Sequence, residues 1–372
     1  MRPIPPSPAS PMALDRNTLQ GFRNHAATRL DGTAKLNLLV GENGAGKTNV
    51  LEALSLLAPG RGLRRATLGE IMSNGKSGGF AVSAALEAGD GGEPVSLGTG
   101  TRPDNPARRL VQVNSAEVSA ISLGEWLAVS WLTPAMDGLF AASAGERRRY
   151  MDRLAVALEP GHARAASRYE SALRERNRLL SGEHEPDPAW LSSLEAQLAE
   201  AGAALSGGRA SLVASLAEAL VGLPQEPFAR PQLAYAPGGP TDRDGLAAEL
   251  ARQRPRDRAA QRTLAGPHRD DLAVTMAGKD MPAANCSTGE QKAMLIALTL
   301  AHADLAAKGR PGVLLLDEVA AHLDPVRRDA LFERLRTGKA QVWLTGTEPA
   351  PFEAILGEAA VWRVSGGTVE RT

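Results

Sequence analysis

Gly41-Glu42-Asn43-Gly44-Ala45-Gly46-Lys47-Thr48 has the residue types and spacing of a phosphate-binding loop. Its glycines let successive backbone N–H groups converge on phosphate oxygens, while the Lys47 ammonium neutralises charge and the Thr48 hydroxyl can ligate Mg²⁺. Far downstream, Val313-Leu314-Leu315-Leu316 runs into Asp317-Glu318. A continuous apolar run suits a parallel strand buried on both faces. Asp317 at its end would hold the Mg²⁺ shell. Glu318, one residue on, stands where a carboxylate can polarise an attacking water. Each motif has a plain alternative, a glycine-rich turn or a strand ending in polar residues. Together they predict that the chain binds ATP with Mg²⁺ and hydrolyses it to ADP and phosphate.

A third element, Ser287-Thr288-Gly289-Glu290-Gln291-Lys292, opens a helix with Met294, Leu295, Leu298 and Ala301 at three- and four-residue spacing. Ser287 and Glu290 form a capping box, which explains the pair without any ligand. The element stands shortly before the acidic strand, and Leu323-Asp324 follows just after it. This order resembles the ATP-binding-cassette ATPases, whose serine and glycine backbone at such a helix start contact the γ-phosphate held by a second subunit. The resemblance implies a head-to-head dimer joined by ATP.

Strand and helix must flank the loop for it to work. Leu36-Asn37-Leu38-Leu39-Val40 reads as the strand, and Val50, Leu51, Leu54 and Leu57 recur at helical spacing after it. Lys47 and Ser287 stand 240 positions apart, so a substantial insertion divides the two halves of the site. We expect an α/β head built from both ends of the chain. Residues 1–13 form a disordered tail, 14–142 and 265–372 the two parts of the head, and 143–264 a helical arm or lid. Within the insertion, helices are expected from Ser143, from His162 to Leu180, from Pro188 to about Leu220, and from Thr241 to Leu264. Leu191, Leu194, Leu198, Ala201, Leu205, Leu212 and Leu216 give the third a near-heptad stripe, fit for an antiparallel hairpin or short bundle. Gly207-Gly208 interrupts that stripe, which leaves a compact helical domain as the alternative. Pro224 to Pro240 reads as irregular or a brief strand.

The 372 residues carry 42 basic and 42 acidic side chains, so bulk charge does not drive unconditional DNA binding. Arg252, Arg254, Arg256, Arg258 and Arg262 make the densest basic cluster, either a solvated helix face or a contact for nucleic-acid phosphate. A single cysteine, Cys286, excludes intramolecular disulfides and fits a reducing cytoplasm. No apolar run approaches a membrane span and no secretory signal is visible. Five prolines fall in the first eleven residues, and Met12 is an alternative start.

Gly21-Phe22-Arg23-Asn24, the run Gly41 to Glu52, Gly60-Arg61-Gly62-Leu63-Arg64, Arg148-Arg149-Tyr150-Met151-Asp152, Gly266-Pro267-His268-Arg269-Asp270-Asp271-Leu272 and Ser287 to Lys292 resemble, in order and spacing, the RecF family of SMC-like ATPases. That resemblance implies a cytoplasmic protein that dimerises with ATP and binds single-stranded, duplex or gapped DNA. It further implies cooperation with the RecO and RecR mediators to load RecA in recombinational repair, replication restart and the SOS response. Carried over by position, Gly41 through Thr48 meet the phosphates and Mg²⁺, and Asp317 and Glu318 serve metal and water. Ser287, Gly289 and Asp324 face the partner's nucleotide, and Arg61 or Arg64 reaches nucleotide or DNA unless both lie in a plain surface loop. His268 has no companion at metal-ligand spacing and is expected to pack; His302 should sit on its helix, and His322 is near the site by sequence alone. Thr345 stands where transporter relatives carry a histidine switch, and no glutamine occurs in Val129 to Pro134. Slow hydrolysis is expected from both departures. A transporter ATPase subunit and a small-metabolite kinase are the competing readings; the long interval opposes the first, and the Ser287 motif the second.

Overall fold

The computed structural model describes residues 13–72, 78–86, 93–223, 226–320 and 323–372. Most of the expected tail, the Met12 start and His322 lie outside them. Two compact units emerge, one of Met1–Asp137, Pro224–Phe228 and Leu295–Thr372, the other of Gly138–Leu223 and Ala229–Met294.

The first unit holds two six-stranded sheets. One is antiparallel, in the order β2-β1-β4-β5-β6-β7, from β1 (Leu14–Phe22), β2 (His25–Asp31), β4 (Ala81–Leu86), β5 (Val95–Arg102), β6 (Asn105–Val113) and β7 (Ala116–Glu117). In β4, Val82, Ala84 and Leu86 are buried and their neighbours less so, the alternation of a strand with one covered face. The other sheet is mostly parallel, in the order β15-β14-β3-β13-β12-β8. Its strands are β3 (Leu36–Val40), β8 (Ala128–Leu132), β12 (Gly312–Leu316), β13 (Gln341–Gly346), β14 (Ala360–Ser365) and β15 (Thr368–Arg371). Every residue of β8, β12 and β13 is buried, as a sheet covered on both faces requires. Across β3, Trp343 stacks on Trp362 with ring centroids 5.4 Å apart. The buried Gln341 amide donates to the Leu14 and Ala34 carbonyls, and its oxygen accepts from Leu14 N–H, so strands distant in sequence share their polar groups.

Helix α1 (Lys47–Ser55) leaves the phosphate loop, with α2 (Leu68–Ile71) and α3 (Leu123–Trp126) beyond it. Helix α9 (Thr288–Ala306) precedes β12, and α10 (Pro325–Thr337) follows it.

The second unit contains α4 (Ala144–Leu158), α5 (His162–Ser181), α6 (Pro188–Val221), α7 (Arg243–Arg252) and α8 (Arg254–Ala259). A three-stranded sheet, β11-β10-β9, adds β9 (Pro231–Ala236), β10 (Asp271–Met276) and β11 (Met281–Pro282). Helices α5 and α6 form an antiparallel hairpin: His162 lies against Gly208, Tyr169 against Gly202, and Arg176 bonds Glu195. Gly208 does not break α6. A Cβ there would stand 2.4 Å from His162 Nδ1, so the glycine is a close-packing position. The single helix expected over Thr241–Leu264 is instead two, because Pro255 lacks the N–H that would carry the ladder past Gln253. Residues 265–294, expected with the head, cluster here because β10 pairs with β9 and Arg209 of α6 holds Asp270.

Buried charge organises this unit. Arg176, fully buried, donates to Glu195, Asp257, Thr263 and the Leu250 carbonyl. Arg209 grips Asp152 and Asp270, and Asp270 also accepts from Tyr235 and Gly238 N–H. Arg147 pairs with Asp271 through two bonds of 2.7 Å, and Arg148 donates to the Asp270 carbonyl. Removing one partner of a buried pair strands the other in a medium that solvates charge poorly. Arg176→Met should therefore destabilise the protein by about 3–5 kcal/mol. The exposed Arg174→Met change should stay within about 0.5 kcal/mol. Urea unfolding followed by circular dichroism would read both, and equal midpoints for the two variants would refute the assignment.

Candidate nucleotide site

The phosphate loop begins where β3 ends. Gly41 N–H donates to the Gly346 carbonyl at 3.2 Å, tying the loop's first residue to the end of β13. A side chain at Gly41 would place Cβ 2.1 Å from the Val364 carbonyl oxygen. Gly46 has φ 117°, a left-handed value, and its missing Cβ would meet Asn24 and His25 within 2.8 Å. The loop can thus be wrapped tightly only by glycine at these two positions. Lys47 Nζ donates to the carbonyls of Gly41 at 2.7 Å and Glu42 at 2.9 Å. Burial lowers its pKa from the ordinary lysine value, against the opposing field of Glu318 and Asp317.

Strand order explains how the acids reach the loop. Between β3 and β12 lies β13, whose Thr345 occupies the gap. Thr48 Oγ1 donates to the Asp317 carboxylate at 2.9 and 3.1 Å, joining residues 269 positions apart. Thr345 Oγ1 donates to Asp317 Oδ1 at 2.9 Å and accepts from Glu318 N–H at 2.9 Å. Glu318 itself holds φ 53°, a left-handed backbone uncommon for a side-chain-bearing residue. Asp317 N–H donates to the Leu132 carbonyl, so β8 reaches the site through its backbone where a glutamine is absent.

Several residues here were not singled out from the sequence for these roles. His25 Nε2 bonds the Gly46 carbonyl at 3.0 Å, which can only accept, so this nitrogen carries the proton and Nδ1 faces the Thr28 hydroxyl. Burial lowers the His25 pKa, favouring the neutral ring. Asn24 donates to the Ala45 carbonyl and accepts from Asn49. The buried Glu52 of α1 receives two bonds from Arg23 and one from Arg64. Sequence offered Arg23, Asn24 and Glu52 through the family resemblance but no signal that Glu52 anchors Arg23 and Arg64.

Arg64, expected at nucleotide or DNA, is thus half occupied inside the unit, with a side chain 40% exposed. Arg61 is exposed in the loop between Gly60 and Gly62, both at positive φ. Asp324 caps α10 by accepting from Arg327 N–H at 3.0 Å, and it is exposed. Ser287 and Gly289 belong to the helical unit. The Ser287 hydroxyl and N–H both donate to Glu290 Oε2 at 2.9 Å, and Glu290 is paired to Lys279, which with Ser287 holds its carboxyl down to about 2. Ser287, Thr288 and Gly289 are exposed, and a Cβ on Gly289 would meet nothing within 4 Å. His268 bonds Tyr169 OH and the Thr263 carbonyl, a packing role, and His302 sits on α9 beside Ser130. In the basic cluster, Arg254 is spent on Glu195 and Arg258 on carbonyls of Leu179, Leu180 and His184. Arg252, Arg256 and Arg262 are exposed.

Among the described residues, no group of three or more His, Cys, Asp or Glu could hold a metal ion. Mg²⁺ on a nucleotide asks for less, because phosphates and waters complete its shell around one or two protein oxygens. Thr48 Oγ1 and the Asp317 carboxylate, adjacent hard oxygen donors, fit that demand.

The RecF/RecN/SMC N-terminal domain model matches residues 13–361. The DNA replication and repair protein RecF of Mesorhizobium japonicum is 45% identical, covering 96% of this chain and 98% of its own. Its counterpart in Brucella suis is 43% identical, covering 96% and 95%. Among solved structures, the recombination mediator protein RecF with ATP in the RecFOR pathway superposes with a TM-score of 0.84 at 22% identity, over 97% of each chain. The Smc head domain of Pyrococcus furiosus, bound to the C-terminal domain of ScpA, gives 0.53 at 15% identity over 97% of this chain and 96% of that one. The fold is therefore that of an SMC-like ATPase head with an inserted helical domain, and the chain belongs to the RecF branch of the RecF/RecN/SMC family.

Proposed function

We propose that this chain is an ATP-dependent DNA-binding protein of recombinational gap repair, a weak ATPase in which nucleotide acts as a dimerisation switch. The observation that carries this reading is the Thr48–Asp317 contact, which unites the phosphate loop with the acidic strand in a chain of the RecF family. Backbone N–H groups from Gly41 to Thr48 hold phosphate oxygens, and Lys47 exchanges its loop carbonyls for them. Mg²⁺, held by Thr48 and Asp317, would neutralise phosphate charge. Glu318 orients and polarises the attacking water. The exposed Ser287–Gly289 helix start and Asp324 complete the pocket of a second copy, so ATP joins two protomers head to head. Hydrolysis resets the clamp.

Thr345 at the histidine-switch position and the missing glutamine support slow turnover. DNA contact is local, with the exposed arginines as its candidates, because the net charge is zero. RecO and RecR are the expected mediators, and RecA loading at gaps, replication restart and the SOS response the expected settings. Among the described residues no helix is long and apolar enough to cross a membrane. A cytoplasmic location completes the proposal. The transporter-subunit alternative calls for a short interval between loop and Ser287, and here most of the helical unit lies within a 240-position interval.

Sedimentation with and without ATP, followed by binding to gapped DNA, tests the reading. The parent should dimerise and bind DNA with ATP; a chain that stays monomeric and ignores DNA defeats it. Lys47→Met should abolish ATP binding. Glu318→Gln should keep ATP, accumulate dimer and hydrolyse about 100-fold more slowly or worse. Parent-rate hydrolysis by Glu318→Gln would remove that residue from the mechanism.

A further inference from the structure

We infer that Thr345 is a positioning residue that sets the geometry of both acids, resting on the ATPase reading above. Its hydroxyl has one proton and two lone pairs. A backbone N–H cannot accept, so the Glu318 N–H contact at 2.9 Å fixes the hydroxyl oxygen as acceptor there. The remaining proton is thereby directed to Asp317 Oδ1, also at 2.9 Å. One side chain consequently orients the proposed metal carboxylate and the peptide of the proposed water-polarising residue.

Three further observations make this more than a filled hydrogen-bonding need. Thr345 is 1% exposed, so water cannot take its place. Glu318 sits at φ 53°, a conformation that neighbouring contacts must hold, and Thr345 supplies one to its own N–H. Thr48 also bonds Asp317, but its oxygen is needed for Mg²⁺, whereas that of Thr345 is not. Thr345 thus remains available to orient the carboxylate when Thr48 turns to the ion.

The test compares full-length parent, Thr345→Val and Thr345→Ser. Turnover of Mg²⁺-ATP is measured, and separately the Mg²⁺ concentration for half-maximal binding of a fluorescent ATP analogue. Valine keeps the branched shape and lacks the hydroxyl; serine keeps the hydroxyl. Thr345→Val should lower kcat about tenfold or more and raise the Mg²⁺ requirement about tenfold, with serine near parent in both. The KM for ATP at saturating Mg²⁺ should stay within about twofold of parent for both variants. In the Glu318→Gln background, adding Thr345→Val should cost no further turnover at saturating Mg²⁺ while the shift in Mg²⁺ requirement persists. Parent-like behaviour of Thr345→Val, or serine as impaired as valine, overturns the role. So does a valine variant that melts early and loses nucleotide equally with and without Mg²⁺, since that marks plain structural damage. A parent that binds Mg²⁺-ATP without hydrolysing it would sink the ATPase reading alone, and the Mg²⁺ titration would still decide for or against Thr345.

Discussion

The order of three parallel strands governs this molecule's chemistry. Placing β13 between β3 and β12 separates the phosphate loop from the acidic strand by one strand's width. Neighbouring strands lie about 4.8 Å apart, so the gap between β3 and β12 is roughly 10 Å and no backbone contact can bridge it. Side chains must. Thr48 reaches from the start of α1 and Thr345 from the end of β13, and both meet on Asp317. The loop carbonyls that receive Lys47 stand in the same corner, so opposite charges approach where burial disfavours leaving either alone.

Around that corner, the antiparallel sheet contributes stiffness to the site. The β1–β2 turn brings Arg23, Asn24 and His25 to three different parts of the loop and its helix. Each bond adds a partner to a backbone carbonyl or a buried carboxylate of the loop and its helix. Gly46 makes room for two of these side chains by having none of its own. Within the helical unit the same logic holds with charges: the Arg148–Asp152 and Gly266–Leu272 segments, both part of the family resemblance, meet through Arg148, Asp270, Asp152 and Arg209. Asp152, Asp270 and Asp271 in these segments are explained by internal ion pairs.

Local signals were readable because they depend on near neighbours. The strand into the loop, the capping box at Ser287 and the long helix from Pro188 each follow from spacing within a few turns of chain. Where a local rule met a tertiary contact, the contact prevailed: Gly207-Gly208 looked like a helix breaker, and His162 turns Gly208 into a packing site. The arginines after Arg252 looked like one basic face, yet Arg254 and Arg258 point their charge at acceptors of α5, α6 and the turn between them.

Sequence alone determined the family and the phosphate-loop motif, since a phosphate loop is a local arrangement of N–H groups that eight consecutive residues specify. Tertiary structure decided how the acids are aimed. That choice depends on which strand lies between two others and on bonds such as Thr48 to Asp317 and Gln341 to Leu14, which span 269 and 327 positions. No local pattern encodes a partner so far along the chain; only the packed sheets bring the two ends within hydrogen-bond reach.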